Sequence, residues 1–140
     1  MKISEDRLRQ TLESVKSALV VGHVKPDGDC LGSVLAITEA LRARGVAADM
    51  LVDDTIAEKH LFLPLAKEIH RELPDKEYDH ILFMDLSTPT RAGDYAWPEN
   101  VPIVNIDHHV SNPDYADMLY LDEHAAATGE ILTRLFMQWG

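Results

Sequence analysis

The sequence predicts an α/β fold: a doubly wound, mainly parallel sheet with helices on both faces. Short apolar segments alternate along the chain with segments whose apolar residues recur at helical spacing, which is the pattern of repeated βα units. Two of the apolar segments, Tyr78–Asp85 and Val101–Ile106, are nearly continuous, as in parallel strands buried on both faces. The length of 140 residues fits one domain.

The first part of the chain predicts a helix, a strand and a second helix. Residues 4–16 place leucine and valine at helical spacing behind Ser4, a favoured cap residue. The apolar segment Ala18–Gly22 is the first predicted strand, and it ends in residues 23–29, which are rich in turn formers. The helical period then returns over residues 31–45, which end in glycine.

The remaining segments continue the alternation. Val46–Val52 is predicted to be the second strand, and Thr55–Arg71 to be helical in part, with an interruption at Pro64. The two apolar runs named above form the third and fourth strands. Ala125–Trp139 is predicted to be a final helix with a continuous apolar side.

Composition and charge limit the function. With 13 basic and 24 acidic residues the net charge is −11, which disfavours passive binding of a polyanion to a basic surface. Clustered carboxylates can nevertheless hold divalent cations that invert the local field. No apolar run is long enough for a signal peptide or a membrane span. The single Cys30 permits no internal disulfide, so the cytoplasm is the expected compartment.

Metal-type ligands follow three of the predicted strands. The first strand runs into a His-Val-Lys-Pro-Asp-Gly-Asp segment, the third ends at an aspartate, and the fourth ends in Asp-His-His. The carboxyl ends of parallel strands share one edge of a sheet, so these groups are expected in one cleft. Carboxylates at such short distances raise one another's pKa values unless cations offset their charge. Two divalent cations would do so, and a carboxylate-rich set favours manganese or magnesium.

Each of these features also has a simpler interpretation. Asp27 and Asp29 could form a turn and cap the helix that starts near Leu31. Asp85 could be a turn or cap residue at a strand end, and an Asp-His-His triplet alone is a weak signal. Their joint placement after three strands favours the site.

The ligand-bearing segments resemble the motifs of a known superfamily. Residues 22–33 (GHVKPDGDCLGS) resemble the first motif of the DHH phosphoesterases, residues 83–87 (FMDLS) the second, and residues 105–112 (NIDHHVSN) the third. Residues 125–130 (AAATGE) are similar to the stretch before the fourth motif. The first motif is most similar to the bacterial oligoribonuclease and 3′-phosphoadenosine 5′-phosphate phosphatase branch, and less so to RecJ nucleases and manganese pyrophosphatases.

This resemblance implies a manganese-dependent phosphoesterase with two divalent cations. Its expected substrates are short oligonucleotides, nucleoside 3′,5′-bisphosphates, or both. Two alternatives stay open: hydrolysis of cyclic dinucleotides or pyrophosphate by the same kind of site, and a non-catalytic metal- or nucleotide-binding fragment.

The resemblance also implies ligand roles. His23 and Asp27 would hold one metal ion, Asp29 and His108 would hold the other, and Asp85 would bridge the two.

Three further residues receive roles in catalysis and substrate binding. Asp107 would hold the metal ligands in position without binding a cation itself. His109 would face the substrate phosphate as a hydrogen-bond donor or acid. Arg91 is a further candidate phosphate contact. Asp122 is a candidate substitute ligand, but we favour a turn or cap role for it.

Residues 1–140 are expected to be the N-terminal DHH domain of a longer protein, ending before the fourth motif and before a C-terminal substrate-binding domain. The apolar side of the last helix, with Leu135, Phe136 and Trp139, is then expected to be uncovered, so that the chain either self-associates as a homo-oligomer or frays there.

Overall fold

A computed structural model describes all 140 residues. Its centre is a five-stranded sheet in the order β2-β1-β3-β4-β5, in which every neighbouring pair is parallel. The strands are β1 (Ser17–Val21), β2 (Ala47–Leu51), β3 (His80–Met84), β4 (Ile103–Asp107) and β5 (Met118–Leu121). The predicted α/β class with a parallel sheet is therefore confirmed.

Three α-helices accompany the sheet: α1 (Glu5–Ser14), α2 (Gly28–Ala43) and α3 (Thr128–Trp139). The predicted cap of α1 is present, since the side chain of Ser4 accepts the N–H of Arg7 at 3.1 Å. Helix α2 begins at Gly28, earlier than the apolar period indicated.

The segment between β2 and β3 forms two 3-10 helices, Glu58–His60 and Ala66–Glu68, on either side of Pro64. A third, Pro89–Ala92, lies between β3 and β4. The strand β5 was not predicted. It is only four residues long, and it pairs with the outer side of β4.

The two faces of the sheet are covered differently. The larger core joins one face to apolar residues of all three α-helices, among them Leu8, Ile37 and Leu135. The other face packs against loop residues, where Phe83 contacts the ring of Trp97 at a centroid distance of 5.4 Å. Helices on both faces were expected, but the second face is covered by loops and a 3-10 helix. Its main connection, residues 85–102, contains three prolines and a glycine, which oppose a long helix.

The end of α3 is better covered than the sequence suggested. Leu135 is completely buried, and Phe136 and Trp139 are half-buried against the same core. The expectation that all three would be uncovered is wrong, because α1 and α2 flank this side of α3 around an open cavity of about 420 Å³. Self-association through this region stays a prediction. None of the helices has the length and apolar character that a membrane crossing requires.

Candidate metal centre

The structure brings the predicted ligands together at the carboxyl edge of the sheet. β1, β3 and β4 are neighbours in parallel register, so the residues that follow them meet at one place. Donor atoms of His23, Asp27 and Asp85 lie within 4.8 Å of one another. The same limit holds for a second group, which consists of Asp85, Asp107, His108 and His109.

Asp85 lies at the centre of both groups. Its Oδ2 is 3.4 Å from Nε2 of His23, and its Oδ1 is 3.3 Å from Nε2 of His108. The residue is buried and adopts a left-handed backbone conformation with φ of 61°, which is uncommon for any residue except glycine, asparagine and aspartate. This turn directs the carboxylate across the strand ends, between two imidazoles that come from different strands.

His23 is held in the orientation that a metal ligand needs. Its Nδ1 donates to the carbonyl oxygen of Val24 at 2.7 Å, which leaves Nε2 facing Asp85. Its backbone N–H points at Sγ of the buried Cys30, 3.3 Å away. Cys30 is therefore a buried packing residue next to the site.

The charges of His23 and Asp85 are coupled. Burial by itself lowers the pKa of the His23 imidazole, but the hydrogen bonds with Asp85, Cys30 and Val24 together outweigh burial, and the pKa rises to about 10. Burial by itself raises the pKa of Asp85, yet hydrogen bonds from His23 and Thr128 bring that pKa below its usual value. The carboxylate thus stays ionised, and a proton on His23 balances it. A cation bound to the same atoms would displace this proton.

Asp27 and Asp29 have different partners. Asp27 is the exposed N-cap of α2 and accepts the N–H of Cys30 at 2.9 Å. Asp29 accepts the N–H groups of Thr128 and Gly129 at 3.1 and 2.8 Å, so it caps α3 and not α2. Its Oδ2 is also 3.7 Å from Nε2 of His108. Each aspartate therefore has a capping role and still lies at the site.

Asp107 is fully buried, and both of its oxygens are engaged. Oδ1 accepts the N–H of His108 at 2.8 Å and Nδ1–H of His109 at 2.6 Å. Oδ2 accepts the amide of Asn112 at 2.8 Å. A carboxylate with these partners is better placed to orient the two histidines than to bind a cation itself.

Arg91 lies on the His23 side of the site. Its Nη2 donates to the carbonyl oxygen of Val24 at 3.1 Å and is also 3.1 Å from Nδ1 of His23. Its own carbonyl oxygen accepts the N–H of Val24. The half-buried guanidinium therefore braces the His23 loop and supplies the one arginine that contacts a candidate ligand.

A buried polar network supports the loop after Asp85. The carbonyl oxygen of Leu86 accepts the side chains of Asn105 and Tyr115, both at 2.8 Å, and of Asn112 at 3.4 Å. Asn112 also contacts Asp107, so this network joins the ends of β3 and β4. No role was predicted for these residues from the sequence, although Asn105 and Asn112 lie in the third motif.

The remaining candidate, Asp122, lies outside the cluster. It accepts the N–H of His124 and pairs with Arg134 at 3.1 Å, which fits the favoured turn role.

The donor set fits divalent cations. Imidazole nitrogens and carboxylate oxygens suit manganese, zinc and iron, and the excess of carboxylates favours manganese or magnesium. No lysine or arginine contacts Asp85 or Asp29: their partners are histidines, backbone N–H groups and hydroxyls, so bound cations would compensate the negative charge of this cluster.

Comparison with known proteins identifies the family. Residues 17–139 match the DHH family, N-terminal domain. The bifunctional oligoribonuclease and PAP phosphatase NrnA of Bacillus subtilis is 25% identical over 131 residues, which cover 94% of this chain and 41% of that protein. The protein of the same name from Thermus thermophilus is 30% identical over 130 residues, covering 90% of this chain and 38% of the relative.

A solved structure supports the fold. An exopolyphosphatase-related protein from Bacteroides fragilis superposes with a TM-score of 0.86 at 24% sequence identity, covering 97% of this chain and 43% of that one. The chain spans about two fifths of the length of the curated relatives it matches. With the family match over residues 17–139 and the three motifs at one sheet edge, the chain belongs to the DHH family.

Proposed function

We propose that the protein containing this domain is a metal-dependent phosphoesterase that uses two divalent cations, with manganese as the preferred ion. Its proposed substrates are short oligonucleotides, nucleoside 3′,5′-bisphosphates, or both. The observation that carries the proposal is the position of Asp85, whose two oxygens face His23 and His108 separately. This arrangement supports the proposal that one buried carboxylate serves two cation positions.

These contacts support the ligand assignment that we propose. We assign His23 and Asp27 to one cation and Asp29 and His108 to the other, with Asp85 shared. The short distances among His23, Asp27 and Asp85 support the first group. The contacts of His108 with Asp29 and Asp85 support the second. Bound in this way, a pair of divalent cations supplies an activated water and a polarised phosphoryl oxygen.

His109 is proposed to act on the substrate phosphate. Its Nδ1 is held by Asp107 at 2.6 Å, which leaves Nε2 directed away from that carboxylate. From this position Nε2 is proposed to donate a hydrogen bond or a proton to a phosphate oxygen. The guanidinium of Arg91, next to His23, is a second proposed phosphate contact.

The substrate class rests on the relatives. The Bacillus and Thermus proteins are named for oligoribonuclease and PAP phosphatase activities, and we extend these activities to the protein containing this domain. We also propose that residues 1–140 are its N-terminal domain, because the relatives are more than twice as long. Bound cations would then attract the substrate phosphate to a chain whose net charge is −11.

The test is a hydrolysis assay with manganese on short oligonucleotides, a nucleoside 3′,5′-bisphosphate, cyclic dinucleotides and pyrophosphate. We expect cleavage of the first two substrates, its loss on chelation, and its return with manganese. The Asp85→Asn variant should be inactive. Preference for cyclic dinucleotides or pyrophosphate would overturn the proposed substrate class, and activity that survives chelation would overturn the metal dependence.

A further inference from the structure

The N-terminus of α3 is bonded directly to two of the proposed metal ligands. The hydroxyl of Thr128 donates to Oδ1 of Asp85 at 3.0 Å. The N–H groups of Thr128 and Gly129 donate to the two oxygens of Asp29 at 3.1 and 2.8 Å. One helix end therefore connects a carboxylate at the end of β3 with another in the first turn of α2.

The hydroxyl of Thr128 differs from the other helical threonine hydroxyls. Those of Thr11, Thr38 and Thr133 each donate to a carbonyl one turn earlier in their own helix. Thr128 is the first residue of α3, so no earlier turn is available, and its fully buried hydroxyl reaches Asp85 instead. A hydrogen bond to a carboxylate is stronger than one between neutral groups. The bond thus belongs to the site more than to the helix.

We propose that Thr128 is a positioning residue of the metal centre, which fixes the rotation of the Asp85 carboxylate and the position of Asp29. The inference rests on the proposed function. For Asp85 to serve two cations, its oxygens must point in two set directions. The hydroxyl of Thr128 holds Oδ1 on the His108 side, so Oδ2 remains on the His23 side. Outer hydrogen bonds of this kind orient ligating carboxylates and strengthen metal binding.

Gly129 contributes to the site because it has no side chain. A Cβ at this position would lie 3.3 Å from Oδ1 of Asp29, which is shorter than an ordinary van der Waals contact. The amino end of α3 also carries a partial positive charge, which reduces the repulsion between Asp29 and Asp85. The dipeptide Thr128-Gly129 therefore provides one hydroxyl, two N–H donors and the space for Asp29.

The test measures manganese binding to the 140-residue chain, from the paramagnetic resonance signal of free Mn²⁺. Thr128→Val keeps the buried volume and removes the donor, and we expect affinity to fall about tenfold or more. Thr128→Ser restores the donor and should recover most of the affinity. Thr38→Val is the matched control, because Thr38 is equally buried but bonds only within α2. Urea unfolding without metal reports the stability of each variant.

Gly129→Ala is an independent variant that keeps the hydroxyl and crowds Asp29, and it should also weaken binding. The inference is overturned if the unsubstituted 140-residue chain binds Mn²⁺ and the Thr128→Val variant binds it equally well. It is overturned too if Thr38→Val loses as much affinity as Thr128→Val. It is also overturned if Thr128→Ser fails to recover binding while remaining as stable as the parent. Failure of the unsubstituted chain to bind Mn²⁺ would overturn the proposed ligand assignment, and this inference with it, whereas the hydrolysis assay tests the proposed function separately.

Discussion

Nδ1 of His109 lies 2.6 Å from Oδ1 of Asp107, a carboxylate that is completely buried. The neighbouring His108 instead directs Nε2 at Asp85, 3.3 Å away, and only its backbone N–H contacts Asp107. Nδ1 of His109 is also 3.8 Å from Oδ1 of Asp85, but the shortest side-chain contact of His109 is with Asp107 and that of His108 is with Asp85. This difference predicts different roles.

We expect His108→Ala to lower manganese affinity, because it removes a proposed ligand. His109→Ala should leave manganese binding nearly intact and lower turnover in the longer parent protein by about 10²- to 10⁴-fold, the usual contribution of a general acid. Titration with Mn²⁺ and steady-state kinetics measure the two effects separately. Equal loss of metal affinity in both variants would contradict this division of roles.

Asp85 should be the ligand whose loss matters most. Asp85→Asn keeps the size of the side chain but removes the negative charge that faces both His23 and His108. We expect manganese affinity to fall more than about tenfold, measured by calorimetry. Asp122→Asn is a suitable control, since Asp122 pairs with Arg134 outside the cluster. Unchanged manganese binding in Asp85→Asn would disprove the shared-ligand assignment.

Much of the fold could be predicted because its pattern is local. The continuous apolar run from Ile81 to Met84 forms a central strand, which is buried on both faces. β5 has no comparable signal, because it is four residues long and its outer side is covered only by the chain terminus, through a bridge between Lys2 and Leu119. The start of α2 was placed late because Asp27 and Asp29 are equally good cap residues by type.

The candidate site could be located for a topological reason, whereas its supporting contacts could not. Parallel strands bring their carboxyl ends together, so His23, Asp85 and His108 were expected to meet. Thr128 is 43 residues from Asp85 in sequence. Its contact depends on how α3 packs against α2 and the sheet, and no local pattern records that packing. The role of Asp29 as the cap of α3 was missed for the same reason.

Gly22, which precedes His23, should not tolerate a larger side chain. A Cβ there would lie 2.8 Å from Sγ of Cys30 and 3.2 Å from methyl groups of Val34 and Val52. We expect Gly22→Ala to lower the free energy of unfolding by about 1–3 kcal/mol through overpacking, measured by urea denaturation. In contrast, nothing lies within 4 Å of a Cβ at Gly32 inside α2, so Gly32→Ala should stabilise by up to about 1 kcal/mol. Equal stability of the two variants would refute this difference in packing.

Asp79 should contribute to stability in a pH-dependent way. It accepts the N–H groups of Lys16 and Ser17 and pairs with His80, which ties the starts of β1 and β3 together. Burial opposes ionisation, but the bond to His80 and those to the backbone outweigh it and lower the pKa of Asp79 below its usual 3.8.

A carboxyl group whose pKa is depressed in the folded state stabilises the protein above its unfolded pKa, and this effect is lost as pH falls through the folded value. Asp79→Ala should therefore destabilise the chain at neutral pH, and the difference from the parent should shrink below about pH 4. Urea unfolding across pH measures it, with the exposed Asp75→Ala as control. A difference that stays constant down to low pH would show that Asp79 acts without its charge.

The 140-residue chain by itself is expected to be a poor enzyme. In the family that the sequence resembles, a fourth motif would supply a further aspartate ligand, and residues 1–140 contain no match to it. Asp122, the candidate substitute, already contacts His124 and Arg134. A missing second domain would leave the substrate without orientation at an open edge of the sheet, and orientation is worth roughly 7–11 kcal/mol in well-placed systems. The measurement is manganese-dependent hydrolysis of a nucleoside 3′,5′-bisphosphate by this chain and by its longer parent protein, at equal metal occupancy. We expect turnover by the chain alone to be lower by several orders of magnitude. Equal turnover would mean that the residues described here complete the site, and Asp122→Asn would then be the first variant to examine.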